Sequence, residues 1–197
     1  MLTRQDTMQI DQICQYTVDQ YIDKLIAFHG NFAPGLLIGG FMVDAAVRRM
    51  TQYEFFDAIC ETNVCLPDAI QMLTPCTVGN GWLKIVHTGR FAIALYEKRS
   101  GDGVRVSMDV SKLDRYPEIR KWFMRLISKH EQDKNVLLGE IKAAGRDILS
   151  VQSIRVSPVL RTKKPGVPIV LCGSCGEAYP ENSSSLCPAC QGLDLYV

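Results

Sequence analysis

The chain has 197 residues, of which 47% are hydrophobic and 22% charged, with a formal net charge of +1. That balance is expected of a soluble globular protein with one main core and room for a small appendage, and it excludes a chain-wide basic excess that would let phosphate contacts dominate binding. No run of 18 apolar residues offers a membrane span, and the start "MLTRQDTMQIDQ" lacks the apolar core and cleavage site of a signal peptide, so a cytoplasmic protein without a membrane partner is expected. Eight cysteines are many for a reducing compartment, where disulfides rarely persist, so clustered ones point to metal binding or reactive thiols.

In chain order, Val18, Ile22 and Leu25 recur at helical spacing, and the same spacing reaches His29, with Gly30 placed to end the helix. Pro34 suits the first turn of a second helix, "PGLLIGGFMVDAAVRRM". Its Gly35, Gly39 and Gly40 each cost about 1 kcal/mol relative to alanine, which implies close approach of another element or of a ligand. "YEFFDAICETN" reads as a strand, Pro67 starts a helix in "CLPDAIQML" that stops before Pro75, and "PCTVGNG" is a turn.

Two strand-like runs follow, with turns at His87–Gly89 and Ser100–Gly103; Val104, Val106 and Met108 alternate with Arg105 and Ser107 as in a half-buried strand. From Pro117 to Leu149 the pattern is helical with a break near Gln132, and "VQSIRVS" reads as one more strand. "PVLRTKKPGVP", residues 158–168, has the composition of a linker.

The strongest signal is the tail, where Cys172 and Cys175, then Cys187 and Cys190, form two C-x-x-C pairs separated by eleven residues. Two residues between paired thiolates let both reach one metal from a tight knuckle, and four soft ligands favour zinc, with iron as the competitor. Two disulfides or a redox pair are the alternatives. So short a segment lacks a core of its own, and a structural zinc supplies an apparent ~10–16 kcal/mol in small fingers. The spacing leaves the eleven-residue middle room for a tight hairpin. Arg161, Lys163 and Lys164 are offset by Glu177, Glu181 and Asp194, so nucleic-acid binding by the tail is disfavoured.

The middle segment, Cys60 to Gly81, concentrates three thiols, carboxylates, Gln71 and a glycine-rich turn. Read by spacing alone, scattered cysteines are more often small core residues than ligands, and a histidine closing an apolar stripe is more often a helix terminator. Cys14 reads as an incidental thiol near a frayed terminus, His87 and His130 as solvent-facing, and Trp82 and Trp122 as packing anchors.

The stretches "FHGNFAPGLLIGGFMVD", "CETNVCLPDAIQMLTPCTVGNGWLKI" and "GVRVSMD", followed by the four-cysteine tail, resemble the FmdE family, which takes its name from formylmethanofuran dehydrogenase. The resemblance implies an α+β core of mixed helices and antiparallel sheet (residues 1–157), the linker, and a small four-cysteine zinc ribbon (169–197). It also implies a homodimer and an association with molybdenum or tungsten oxidoreductases of formate and formylmethanofuran metabolism. Carried over residue by residue, it makes His29, Cys65 and Cys76 candidate catalytic groups or ligands of a second, core metal. Asn31, Asp68, Gln71 and Thr77 become candidates to line the same polar cleft. Asn31 stands where the family pattern has a second histidine and Ala33 where a cysteine can occur, so two ligands are missing; Cys60 is assigned to the core.

The function expected is that of a zinc-binding accessory protein that handles a small molecule or a metal. The rivals are a metal-dependent enzyme using the core His/Cys site, and a regulator whose ribbon binds protein or nucleic acid.

Overall fold

The computed structural model describes residues 12–162 and 165–193. Lys163 and Lys164 of the linker run, and Asp194, lie outside the described residues. The chain divides into two compact units, one ending at Arg161 and the other beginning at Thr162.

The first unit opens with a short hairpin, β1 (Gln12–Ile13) and β2 (Tyr16–Thr17). Helix α1 (Val18–His29) starts at Thr17, whose side chain and that of Gln20 form a capping box. It buries Val18, Tyr21 and Leu25 and ends where Gly30 takes the left-handed conformation at φ 87°. Helix α2 (Pro34–Val47) has proline in its first turn and is buried from Gly35 to Ala46. A helix apolar on every side belongs at the centre of a fold, and α2 indeed packs on α1, α3, α5 and strands β5, β6 and β7 described below.

The glycines of α2 serve helix packing. A Cβ at Gly40 would run into the Tyr21 ring, and one at Gly39 would come within 2.9 Å of Ala69. The Tyr21 hydroxyl donates to the Leu36 carbonyl at 3.1 Å, which locks α1 against α2.

The remaining elements are β3 (Asp57–Cys60), α3 (Leu66–Leu73), β4 (Leu83–Ile85), β5 (Ala92–Tyr96), β6 (Asp102–Met108), a 3-10 turn (Val110–Arg115), α4 (Pro117–Phe123), α5 (Lys134–Ala144), β7 (Leu149–Arg155) and α6 (Pro158–Arg161). The helical region breaks around Gln132, as its sequence indicates. The five-stranded sheet has the order β4-β3-β5-β6-β7. Its pairs are antiparallel except β3–β4, which is parallel because α3 intervenes and carries the chain back to the same end. The antiparallel sheet read from sequence is therefore mixed at one edge. The first four residues of "PVLRTKKPGVP" form the short helix α6 rather than an extended linker.

Two buried carboxylates tie the unit together. Asp44, 2% exposed, accepts the Cys14 N–H at 2.8 Å and pairs with Arg48 and Arg146. Glu61, 6% exposed, accepts two bonds from Arg105 at 2.6 and 3.0 Å and pairs with Arg90 at 2.6 Å. Cys14 is thus no frayed-end thiol: it sits half-buried in the hairpin turn at φ 51°, and burial, reinforced by the Asp44 charge, pushes its thiol up to about 12. His87 and His130 are exposed and Cys60 is buried, as expected.

The second unit is built on a two-stranded hairpin, β8 (Ile169–Leu171) with β9 (Ala178–Pro180). Among the described residues no helix is long and apolar enough to cross a membrane.

Candidate functional site

The four tail thiols converge. Strand β8 delivers the chain into a knuckle in which the Gly176 N–H donates to the Cys172 carbonyl at 3.0 Å and Gly176 turns left-handed at φ 74°. Strand β9 then returns alongside β8, so the hairpin is closed across the first cysteine pair instead of lying between the two pairs. Tyr179 is buried with Cys172 and Cys187, and its hydroxyl donates to the Ser184 carbonyl at 2.7 Å, which shapes the return to the second pair.

The ligand atoms of Cys172, Cys175, Cys187 and Cys190 all lie within 4.8 Å of one another. The Sγ atoms of Cys175 and Cys187 are 3.8 Å apart, the edge of a tetrahedron with Zn–S bonds of about 2.3 Å. The N–H groups of Cys187 and Ser174 donate to the Cys172 sulfur at 3.3 and 3.5 Å. Backbone N–H groups, those of Cys175 first and then Cys187 and Ser174, hold the Cys172 thiol down to about 6. These donors stabilise a thiolate before any metal arrives, and the set fits zinc.

The histidine cleft is assembled from the N-terminal ends of α2 and α3. His29 closes the buried stripe of α1, and its Nδ1 lies 2.7 Å from Oδ2 of Asp68 in the first turn of α3. Both side chains are about three-tenths exposed, 29% and 31%. A carboxylate on Nδ1 fixes the ring and leaves Nε2 as the free nitrogen, the arrangement that orients ligating or proton-moving histidines.

Cys65 immediately precedes α3 at φ 60° and ψ −55°, with the Leu66 N–H donating to the Val64 carbonyl at 2.6 Å. This is a γ-turn of the strained hand. Such a backbone costs about 1–3 kcal/mol and persists only where its surroundings hold it. What holds it is Gly35: a Cβ there would come within 3.0 Å of the Cys65 sulfur and 3.5 Å of Phe91. Phe91 stacks edge-on against Trp122 and Phe123, centroids 6.3 and 5.9 Å away, so an aromatic wall backs the thiol. Burial, with the Asp68 charge adding to it and Lys129 opposing, raises the Cys65 thiol. It is a neutral thiol at pH 7 until a cation displaces its proton.

The other residues singled out from sequence are arranged around the far end of α3. The Cys76 sulfur donates to the Phe56 carbonyl at 3.3 Å, and burial raises its thiol to about 11. Gln71 accepts the Val78 N–H at 3.2 Å, while Thr77 and Asn80 cap each other's N–H groups at 3.1 and 3.0 Å. Asn31 is exposed in the α1–α2 turn. Among the described residues, the tail thiols are the only group of three or more His, Cys, Asp or Glu whose ligand atoms come together within 4.8 Å. Gly35, Phe91 and Lys129 carry no sequence signal that would have placed them beside Cys65; the glycine spacing in α2 was the one hint.

A zinc finger of four thiols joined to an α+β core with a histidine cleft defines a small class of protein, and the comparisons with known proteins agree on which. A model of "FmdE, Molybdenum formylmethanofuran dehydrogenase operon" matches residues 28–156, and one of the "FmdE treble clef zinc finger" matches residues 163–197. The chain belongs to the FmdE family. It is similar to an FmdE-like protein of tungsten formylmethanofuran dehydrogenase from Syntrophus aciditrophicus, whose crystal structure is known. The identity is 49% and the TM-score 0.87, over 94% of this chain and 98% of that one. It is also 26% identical, over 84% of its length, to a probable S-adenosyl-L-methionine-binding protein of Archaeoglobus fulgidus, and spans about half, 50%, of that relative. The tail cysteines are the ligands of the family's zinc finger.

Proposed function

We propose that this protein is an accessory factor of a molybdenum or tungsten oxidoreductase of the formate or formylmethanofuran type, working as a homodimer in the cytoplasm. In this reading the tail zinc is structural and the core cleft handles a metal or a small molecule. The observation that carries it is the His29–Asp68 pair set beside Cys65 in its strained turn. The pair presents one oriented imidazole nitrogen, and the turn presents one thiol beside it, so the cleft offers a partial ligand set that takes the rest of its coordination from a cargo or from solvent. Partial sets suit transient holding, whereas closed sets such as the tail suit permanent structure.

The finger supports the accessory role. Ile169 and Leu171 of β8 are 65% and 71% exposed, and Ala178 and Pro180 lie beside them on the same face of the hairpin and are also exposed. An apolar hairpin face on so small a unit fits a protein partner and gives nothing to a phosphate backbone.

Calorimetric titration of the zinc-loaded protein with further Zn²⁺ tests the cleft. Binding beyond the finger equivalent is expected, abolished in His29→Ala and weakened about 10–100-fold in Asp68→Asn, the usual effect of removing a carboxylate that orients a ligating histidine. Heat that is unchanged in both variants would refute the assignment. The relative's S-adenosyl-L-methionine binding suggests a second cargo, since the aromatic wall of Phe91, Trp122 and Phe123 suits a sulfonium. The same calorimeter, with S-adenosyl-L-methionine in the syringe, decides it.

A further inference from the structure

The two edges of the core sheet differ. Strand β4 is three residues long, and the Lys84 ammonium crosses from it to the Leu160 carbonyl, so that edge is short and partly covered. Strand β7 is seven residues long and, among the described residues, pairs along its whole length with β6 on one side only.

The hydrogen-bond pattern shows which backbone groups of β7 are free. Ile148 accepts from Asp109 at 2.9 Å and Val156 donates to Gly101 at 2.8 Å. Because an antiparallel ladder alternates, the even-numbered residues between them bond inward to β6 and the odd-numbered ones point outward. Leu149 is satisfied: its N–H donates to Arg146 at 3.0 Å and its carbonyl accepts from Lys112 at 2.6 Å. Among the described residues no hydrogen bond reaches the outward N–H and C=O groups of Val151, Ser153 and Arg155, and all three residues are exposed.

Natural edges of this length are blunted by lysine, proline or a bulge. Here "LSVQSIR" carries no proline and no charge before Arg155, whose guanidinium is already paired with Asp102 at 2.7 Å. The register with β6 runs unbroken from Leu149 to Arg155, so there is no bulge either.

The free set is symmetric about Ser153, which selects the occupant. We propose that the outer edge of β7 is the self-association surface of this chain. Two copies pair β7 to β7, antiparallel, about a two-fold axis at Ser153, which joins their sheets into one. Ser153 then faces its own copy and Val151 faces Arg155 of the other chain, so every free group on the edge finds a partner and none is left over. The two Arg155 side chains stand ~14 Å apart along the strands, at about 3.4 Å per residue, so no like charges meet. Serine opposite serine and valine opposite the arginine stem are favourable cross-strand pairs. A two-fold interface of this kind closes on itself and leaves no edge for further growth.

This inference rests on the dimer reading above and gives it a surface. The test is sedimentation velocity on the full zinc-loaded chain, as wild type, Ser153→Arg, Ser153→Glu, and the two variants mixed. Expected is a wild-type dimer, at least 100-fold weaker self-association in each variant because like charges face each other across the axis, and recovery of the dimer on mixing at low salt. That recovery also shows that both variants are folded. A wild-type monomer at about 100 μM would overturn both the surface and the dimer. Variants that dimerise as wild type does, or that stay monomeric when mixed, would overturn the surface alone.

Discussion

His29 and Asp68 are 39 residues apart, yet they make a directed contact in the cleft. The helical spacing of α1 and the stop at Gly30 made the position of His29 legible, but nothing local to Asp68 marks its partner: an acidic residue in the first turn of a helix is explained well enough by the helix dipole. The strained turn at Cys65 was equally hidden, because cysteine is not a residue that sequence patterns place at positive φ. Glu61 gives a sharper residue-scale test. Its carboxyl is held below the usual range by the Arg105 hydrogen bonds, against an opposing desolvation. A depressed folded-state pKa adds stability that is fully present above the unfolded value, near 4.5, and is lost as the pH falls through the folded value. Glu61→Gln is therefore expected to cost about 3 kcal/mol in urea melts at pH 7, by leaving Arg105 without its partner, and much less at pH 3, where wild type has lost the same contribution.

At the scale of elements, the sequence punctuation worked where it was chemical. Gly30, Pro34, Pro67 and Pro75 bound helices in the structure as their backbone limits require. What stayed illegible depended on topology: the parallel β3–β4 pair, the hairpin that turns Cys14 inward, and the finger hairpin closed across its first knuckle. The glycines of α2 were readable as a sign of close approach, though not of which neighbour approaches. Gly40→Ala tests that packing. The added methyl meets the Tyr21 ring, so a loss of about 1–3 kcal/mol is expected in thermal or denaturant unfolding of the core. A variant as stable as wild type would mean that α1 can slide away at no cost.

For the whole molecule, the division at Arg161 and Thr162 implies separable stabilities. The core rests on α2 and the sheet, whereas the finger has only a small buried cluster of Cys172, Tyr179 and Cys187 around its thiolates. Cys172→Ser, or a strong chelator, is expected to unfold residues 165–193 to limited proteolysis while the melting of the core stays within about 1 kcal/mol of wild type. A core that melts with the finger would contradict that division. The central claim is that this chain keeps one metal for structure and offers a second, open place at His29 and Cys65. Equilibrium dialysis against Zn²⁺ of wild type, His29→Ala and Cys65→Ala tests it most directly. More than one zinc per chain in wild type, falling to one in each variant, is predicted; one zinc per chain in all three would contradict it.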